Sequence, residues 1–318
     1  MADKNATELL GSDAAGIARA CALLAAGELV AVPTETVYGL AGPAGSEAAV
    51  AQIYRAKGRP DFNPLIVHVA SPAQAERIAV FDSRARTLAA RYWPGPLTMV
   101  LPLRDGAGIA PAVTAGLPTV ALRCPAHPVM QALLRELGEP LAAPSANRSG
   151  AVSPTSAEHV MEGLARRIAA VVDGGACEAG LESTIVALRD DGSWQLLRHG
   201  PIDAGELAEL LGPPGDVMRQ AIEAPGQLAQ HYSPGKPVRL DAVAAEPGEF
   251  LIGFGPDSCS GACDCNLSHS GDLAEAASRL YACLHRAAAS SSERIAVAPI
   301  PSEGIGAAIN DRLRRAAA

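Results

Sequence analysis

Short apolar runs alternate with alanine-rich segments of helical period through the first two hundred residues. The runs LVAVPT, PLIVHV, LTMVLPL, TVALRC, PLAAP, AAVVD, STIVAL and WQLLR are strand-length and bounded by turn residues, so they predict β-strands. Between several of them, SEAAVAQIYRA, SRARTLAARYW and HPVMQALLREL repeat their apolar positions at helical spacing and predict helices. The alternation indicates an α/β or α+β sheet with helical cover. From about 203 to 237 the pattern loosens into GPPGDVMRQAIEAPGQLAQHYSPGKP, whose prolines and glycines predict an extended linker. A second, smaller α/β pattern follows: VRLDAV, EFLIGFG, the helix DLAEAASRLYACLHRAA, the strand RIAVAPI and a last helix, AAINDRLRRAA. The expected organisation is a domain over 1–204, a linker over 205–237 and a compact parallel-sheet domain over 238–318.

Charge and composition narrow the function classes. The net charge of −8 makes the surface as a whole repel a phosphate backbone, so a nucleotide site has to be a local basic pocket. Aromatic residues make up 3% of the chain, too few for a base-stacking platform that binds single strands. The acidic start, MADKNATELLGSDAAGIARA, lacks the basic and apolar regions of a secretory signal, and no run reaches membrane-span length. The expectation is a cytoplasmic protein with no membrane partner. Seven cysteines, an odd number, suit a reducing compartment better than a disulfide framework.

The familiar signatures are missing from the sequence: no GxxxxGK[ST], no GxGxxG, no HExxH, no GxSxG and no CxxC. What remains is a set of polar loops at predicted strand ends, where α/β sheets bind ligands. In PTETVYGLAG, Thr34, Glu35 and Thr36 offer hydroxyls and a carboxylate. In KGRPDFNPLIVHV, Lys57 is one of three lysines in the chain, and with Arg59 it suits phosphate oxygens; Asn63 and His68 add neutral polar groups. The run PLAAPSANRSGAVSPTSAEHV sets Ser145, Asn147, Ser149 and Ser153 after an apolar strand and reads as a binding loop leading to a helix capped by Thr155 or Ser156. GLESTIVALR brings Glu182, Ser183 and Thr184, and LLRHG brings Arg198.

Taken together and in this order, PTETVYGLAG, KGRPDFNPLIVHV, WPGPLT, VALRCPAHP, PLAAPSANRSGAVSPT, GLESTIV, QHYSP, NLSHSGDLAEAASRLY and PIPSEGIGAAINDRL resemble the Sua5/YrdC/YciO family, in its two-domain Sua5 form. The resemblance implies a large twisted mixed-sheet YrdC-like domain, a linker and a small Rossmann-like parallel-sheet domain. It implies synthesis of L-threonylcarbamoyladenylate from L-threonine, bicarbonate and ATP with release of pyrophosphate. This is the first step towards N6-threonylcarbamoyladenosine at tRNA position 37; a separate transferase receives the product. Mg²⁺ is expected to arrive on the ATP phosphates rather than on protein ligands, and no stable nucleic-acid binding is expected. By the same resemblance, Lys57 and Arg59 carry the catalysis and hold the triphosphate. Asn63, Thr119, Ser145, Asn147, Ser153, Arg198 and Tyr232 face ATP with them. Thr36, His68, Arg123, Ala143 and Ser183 face L-threonine, Arg123 matching its carboxylate. Tyr232 implies that the linker folds back as a lid.

Two features depart from the family pattern. His199 stands beside Arg198 where a smaller uncharged residue is expected. CSGACDCNLSH gathers Cys259, Cys263, Cys265 and His269, whose types bind zinc but whose spacing is not a standard zinc motif. Two rival readings keep the same fold: a carbamoyl-adenylate-forming module, and an RNA-binding module without catalysis.

Overall fold

The computed structural model describes residues 6–215, 222–227, 231–256 and 263–318. The chain opens with β1 (Glu8–Gly11), α1 (Ala14–Ala25), β2 (Val30–Val32), β3 (Gly39–Pro43), α2 (Glu47–Lys57) and β4 (Ile66–His68). Next come α3 (Pro72–Ile78), α4 (Ser83–Tyr92), β5 (Leu97–Pro102), α5 (Pro111–Thr114), β6 (Thr119–Arg123), α6 (Pro128–Leu137) and β7 (Leu141–Ala142). The first sheet is completed by β8 (Ala170–Asp173), β9 (Thr184–Leu188) and β10 (Trp194–Arg198), with α7 (Ala157–Leu164) before them and α8 (Ala204–Leu211) after. The second unit holds β11 (Val238–Arg239), β12 (Glu249–Gly253), β13 (Cys265–Asn266), α9 (Leu273–Ala289), β14 (Arg294–Val297) and α10 (Gly306–Ala316).

Ten strands form one mixed sheet in the order β1-β8-β2-β3-β7-β4-β6-β5-β9-β10, and four form a second sheet, β11-β14-β12-β13. The second sheet is parallel throughout. The expected α/β class and the pairing of a large mixed sheet with a small parallel one are therefore what the chain adopts. In the first sheet β4 lies between β6, parallel, and β7, antiparallel, and all three of its residues are buried. Burial on both faces is why its sequence, IVH, carries no polar alternation apart from the histidine.

Every run predicted as a strand forms one, and the five predicted helices are present. The local chemistry explains their ends. Ser46 caps α2 through its side chain, and Gly58, at φ 62°, closes it in the left-handed conformation that glycine adopts without strain. Ser156 caps α7, its hydroxyl accepting from the His159 amide.

Three expectations are corrected. The stretch read as wholly linker begins with a helix, α8, which Asp203 caps and whose Leu207 is buried in the main core. PTETVYGLAG is loop only in its first half; its GLAG enters β3, which pairs β2 and β7. The cysteines are not all reduced: Cys265 of β13 and Cys283 of α9 form a disulfide, and Cys263 is disulfide-bonded too. Cys263 and Cys265 are thereby unavailable as metal ligands; Cys259 lies outside the described residues.

The main core runs beneath the first sheet from Leu29 to Leu207. A second core fills the small unit, and it also takes in Val37, Val152 and Leu181 from the first unit and Tyr232 from the linker. The two units thus share apolar surface, and they share it next to the polar loops.

Candidate active site

The cavity lies at the carboxyl ends of β4 and β6, where His68 and Arg123 are register partners in parallel strands. Its walls include Thr34, Val37, Gly39, Arg59, His68, Arg123, Ala143, Ser145, Glu182 and Arg198. The linker folds back over it, and Pro225, Gly226, His231 and Tyr232 complete the lining. The non-atom space at the site is about 510 Å³, part of it open to solvent.

Of the residues singled out by sequence, Arg59, His68, Arg123, Ala143, Ser145, Arg198 and Tyr232 line this one cavity. Each is set by its element. Arg59 follows the Gly58 turn, and its Nε and Nη2 donate to the carbonyls of Asn63 and Pro64 at 3.1 and 2.9 Å. Arg198 ends β10, and its Nε and Nη2 donate to the Ser183 carbonyl and hydroxyl at 3.0 and 3.1 Å. Ser145 is held by a bridge to Gly39 of β3.

Lys57 is placed differently from expectation. Its ammonium is 2% exposed and donates to the carbonyls of Ser145 and Asn147 and to Asn147 Oδ1, so it braces the 145–147 loop from behind and is not on the cavity wall. Asn147 is likewise turned inward, its amide donating to the carbonyls of Arg148 and Ala151. Thr119 begins β6, whereas Arg123 ends it; four residues of strand separate them by roughly 13 Å, which puts Thr119 away from the wall. Ser153, Thr36 and Ser183 stand one contact behind the wall. Ser153 donates to Glu182 at 2.6 Å, Thr36 accepts from Arg123 at 2.7 Å, and Ser183 accepts from Arg198 at 3.1 Å. Asn63, 1% exposed, has no partner for its Oδ1 among the described residues.

Arg123, expected to match a free carboxylate, already has one. Its Nη2 donates to Glu35 at 2.6 Å, its Nη1 to Thr36 and its Nε to the Gly95 carbonyl. The backbone amide of Ala126 also donates to Glu35, and these contacts hold the Glu35 carboxyl below its usual range although burial pushes the other way. His199 leaves Arg198 undisturbed: its side chain is exposed and only its carbonyl is used, by Arg312.

The electrostatics are lopsided. Among the described residues no carboxylate forms an ion pair with Lys57, Arg59 or Arg198; Glu35 goes to Arg123 and Glu182 to Arg312. Burial pushes Arg59 down to about 10, the charge of Arg198 adding to it, and burial together with Arg59 pushes Lys57 well down. Arg59 and Arg198, two buried cations on the wall that share no ion pair with a carboxylate among the described residues, are what a polyanionic ligand relieves. His68 is held neutral: burial first, then the charge of Arg123, pushes it to about 3. Its Nδ1 has no partner among the described residues, so it offers a neutral hydrogen-bonding group at the cavity rather than a proton acceptor.

Sequence reading passed over His231. It lines the cavity beside Tyr232, its ring 4.1 Å from the tyrosine ring, and its signal was the QHYSP motif itself. Glu182 was noticed as part of a loop, but its partners Tyr281 and Arg312 were not.

A family model described as "Telomere recombination" and labelled Sua5_yciO_yrdC matches residues 22–200. A second, described as "Threonylcarbamoyl-AMP synthase, C-terminal domain", matches residues 202–318. The threonylcarbamoyl-AMP synthase of Bacillus subtilis (strain 168) is 46% identical over 253 residues, which cover 77% of this chain and 72% of that one. The protein of the same name from Pyrococcus abyssi is 38% identical over 314 residues, covering 91% and 90%. The crystal structure of P. abyssi Sua5 complexed with L-threonine superposes with a TM-score of 0.87 at 35% identity, covering 98% of each chain.

Proposed function

The chain belongs to the Sua5/YciO/YrdC family, with the Sua5-type C-terminal domain, and from that premise we propose that it joins L-threonine, a one-carbon carboxyl donor and ATP into L-threonylcarbamoyladenylate. The observation that carries the reading is the pair of buried arginines on the wall, Arg59 and Arg198, neither in an ion pair with a carboxylate among the described residues, beside the neutral His68. The reaction is an adenylate transfer. The uncharged threonine amine attacks bicarbonate carbon, water leaves, and a carbamate forms. A carbamate oxygen then attacks the α-phosphorus, the bond to the bridging oxygen of the β-phosphate breaks, and pyrophosphate departs. The protein's part is to position and to balance charge. Arg59 and Arg198 face the phosphates. His68 and Ala143 border the threonine, and Arg123 with Glu35 and Thr36 shapes that side. Lys57 acts through the 145–147 loop.

Mg²⁺ enters on the phosphate oxygens of ATP and there offsets their charge. The donor set suits that route: Glu182, the carboxylate on the wall, is taken by Ser153, Tyr281 and Arg312, and the described residues hold no group of three or more His, Cys, Asp or Glu able to take a metal. Pro225, Gly226, His231 and Tyr232 of the linker cover the cavity, so the linker moves aside to admit substrates and returns to keep water from the adenylate. No helix of the described residues is long and apolar enough to cross a membrane. We place the reaction in the cytoplasm, with the adenylate passing to a separate transferase that modifies tRNA.

The test is pyrophosphate release from Mg-ATP with L-threonine and bicarbonate each present or omitted. Release that requires both is expected. Release with neither, or none at all, overturns the reading and moves attention to carbamoyl phosphate as substrate.

A further inference from the structure

Glu182 is buried on the cavity wall and receives donors from three separate segments. Ser153 Oγ donates at 2.6 Å, Tyr281 Oη of α9 at 2.8 Å, and Arg312 Nε of α10 at 2.9 Å. Burial would raise the carboxyl, but Arg312 and then Arg198 outweigh it and hold it at about 2, so it stays a carboxylate. Arg312 is itself 0% exposed and spends its whole fork: Nη1 on Asp311 at 2.8 Å, Nη2 on the His199 carbonyl at 2.9 Å. Its guanidinium carbon also lies 5.3 Å from the centre of the Tyr232 ring, which stacks on Tyr281 at 5.7 Å. The linker backbone docks beside it, the His231 amide donating to the Arg315 carbonyl and the Ser233 amide to the Gly150 carbonyl.

One side chain of the last helix therefore meets the carboxylate behind Ser153, the carbonyl next to Arg198 and the ring of Tyr232. We propose that Arg312 is a positioning residue for the nucleotide half of the site: it fixes Glu182 and with it Ser153, and it holds the linker closed through Tyr232. The small unit is then a working part of the active site. The proposal rests on the synthase reading above, but the experiment separates the two. The threonine half, around His68, Ala143 and Glu35, has no contact with Arg312, so a structural defect and a positioning defect predict different patterns.

The experiment compares the full-length protein with Arg312→Met, Arg312→Lys and Tyr281→Phe, measuring KM for ATP and for L-threonine by pyrophosphate release, and Mg-ATP binding by calorimetry. Arg312→Met is expected to raise the ATP KM and Kd by ~10-fold or more while the threonine KM moves by less than about two-fold. Arg312→Lys keeps the charge but not the fork, and recovers part of the loss. Parallel rises in both KM values, or a fall in kcat alone, overturn the proposal. Removing Arg312 strands Glu182 and can prevent folding; Tyr281→Phe removes one donor at constant bulk, and an unchanged ATP KM in that folded variant overturns the proposal as well. A wild type without threonine-dependent release refutes the synthase reading, and calorimetry with Mg-ATP still judges Arg312.

Discussion

At the scale of single residues, Lys57 separates two kinds of importance. A lysine on phosphate would be a desolvated charge in the free protein, and replacing it with methionine would leave stability unchanged or improve it. Here the ammonium satisfies three acceptors of the Ser145–Asn147 loop, and removing it strands buried carbonyls. Lys57→Met is therefore expected to destabilise by about 2–3 kcal/mol, net of the buried charge that goes with it, and to lose activity with it, as measured by urea unfolding alongside pyrophosphate release. An inactive variant of full stability would return Lys57 to the phosphates. The sequence could show that this lysine matters but not in which direction it points. KGRPDFNP is polar and glycine-rich, as exposed loops are, and only the packing of α2 against the 145–147 loop buries it. His68 was legible because it ends a strand and Arg59 because it stands in a Gly/Pro-rich loop leading to that strand; Glu182 and Arg312 were not legible as a pair because 130 residues separate them.

At the scale of elements, the apolar runs were legible wherever β-branched residues and bulk marked them. GLAG was not, since glycine and alanine have little strand preference of their own, and β3 exists because β2 and β7 offer ladders on both sides. AGELAELL was hidden by the prolines that follow it. Contact between elements yields a sharper expectation. Gly180, at φ 67°, sits where a Cβ would come within 2.4 Å of the Ser278 backbone in α9. Gly58, at φ 62°, has nothing within 4 Å of the same position. Gly58→Ala should cost about 1 kcal/mol, the strain of a left-handed alanine. Gly180→Ala adds a clash between backbones and should cost about 3 kcal/mol or more while lowering activity, because α9 carries Tyr281 to Glu182. Equal losses in chemical denaturation would mean that α9 yields easily.

At the scale of the whole molecule, the two units meet through groups that resist acid poorly. His159 of α7 and His285 of α9 stack at 3.8 Å, and burial holds both below their usual value, His159 at about 4 with the charge of His285 adding to it. His68 and His231 are held at about 3, burial again the main cause. Each binds its proton in the unfolded chain near pH 6.5 and in the folded chain below that, at about 3 to 4 for His68, His159 and His231. The unfolded state therefore binds more protons between those values, and stability falls as pH falls from about 6.5, by at most about 1.4 kcal/mol per pH unit per histidine. The Ser153 carbonyl, 3.2 Å from His285 Nε2, softens the effect at that ring. Calorimetric Tm should decline from about pH 7 to 5, and His285→Asn should flatten the decline. A pH-independent Tm would contradict the buried, neutral state of these rings.

Tyr232 has one further property. Its φ of 65° is left-handed, an unusual setting for a bulky residue, and it is kept there while 1% exposed between Tyr281 and Arg312. That conformation stores on the order of 1–2 kcal/mol, so the closed linker is a loaded spring whose catch sits in the other unit. Strain of this size weights the relaxed linker against the closed one by about five-fold or more relative to a residue without it, so the balance between the two is set by one backbone angle as well as by the contacts of the ring.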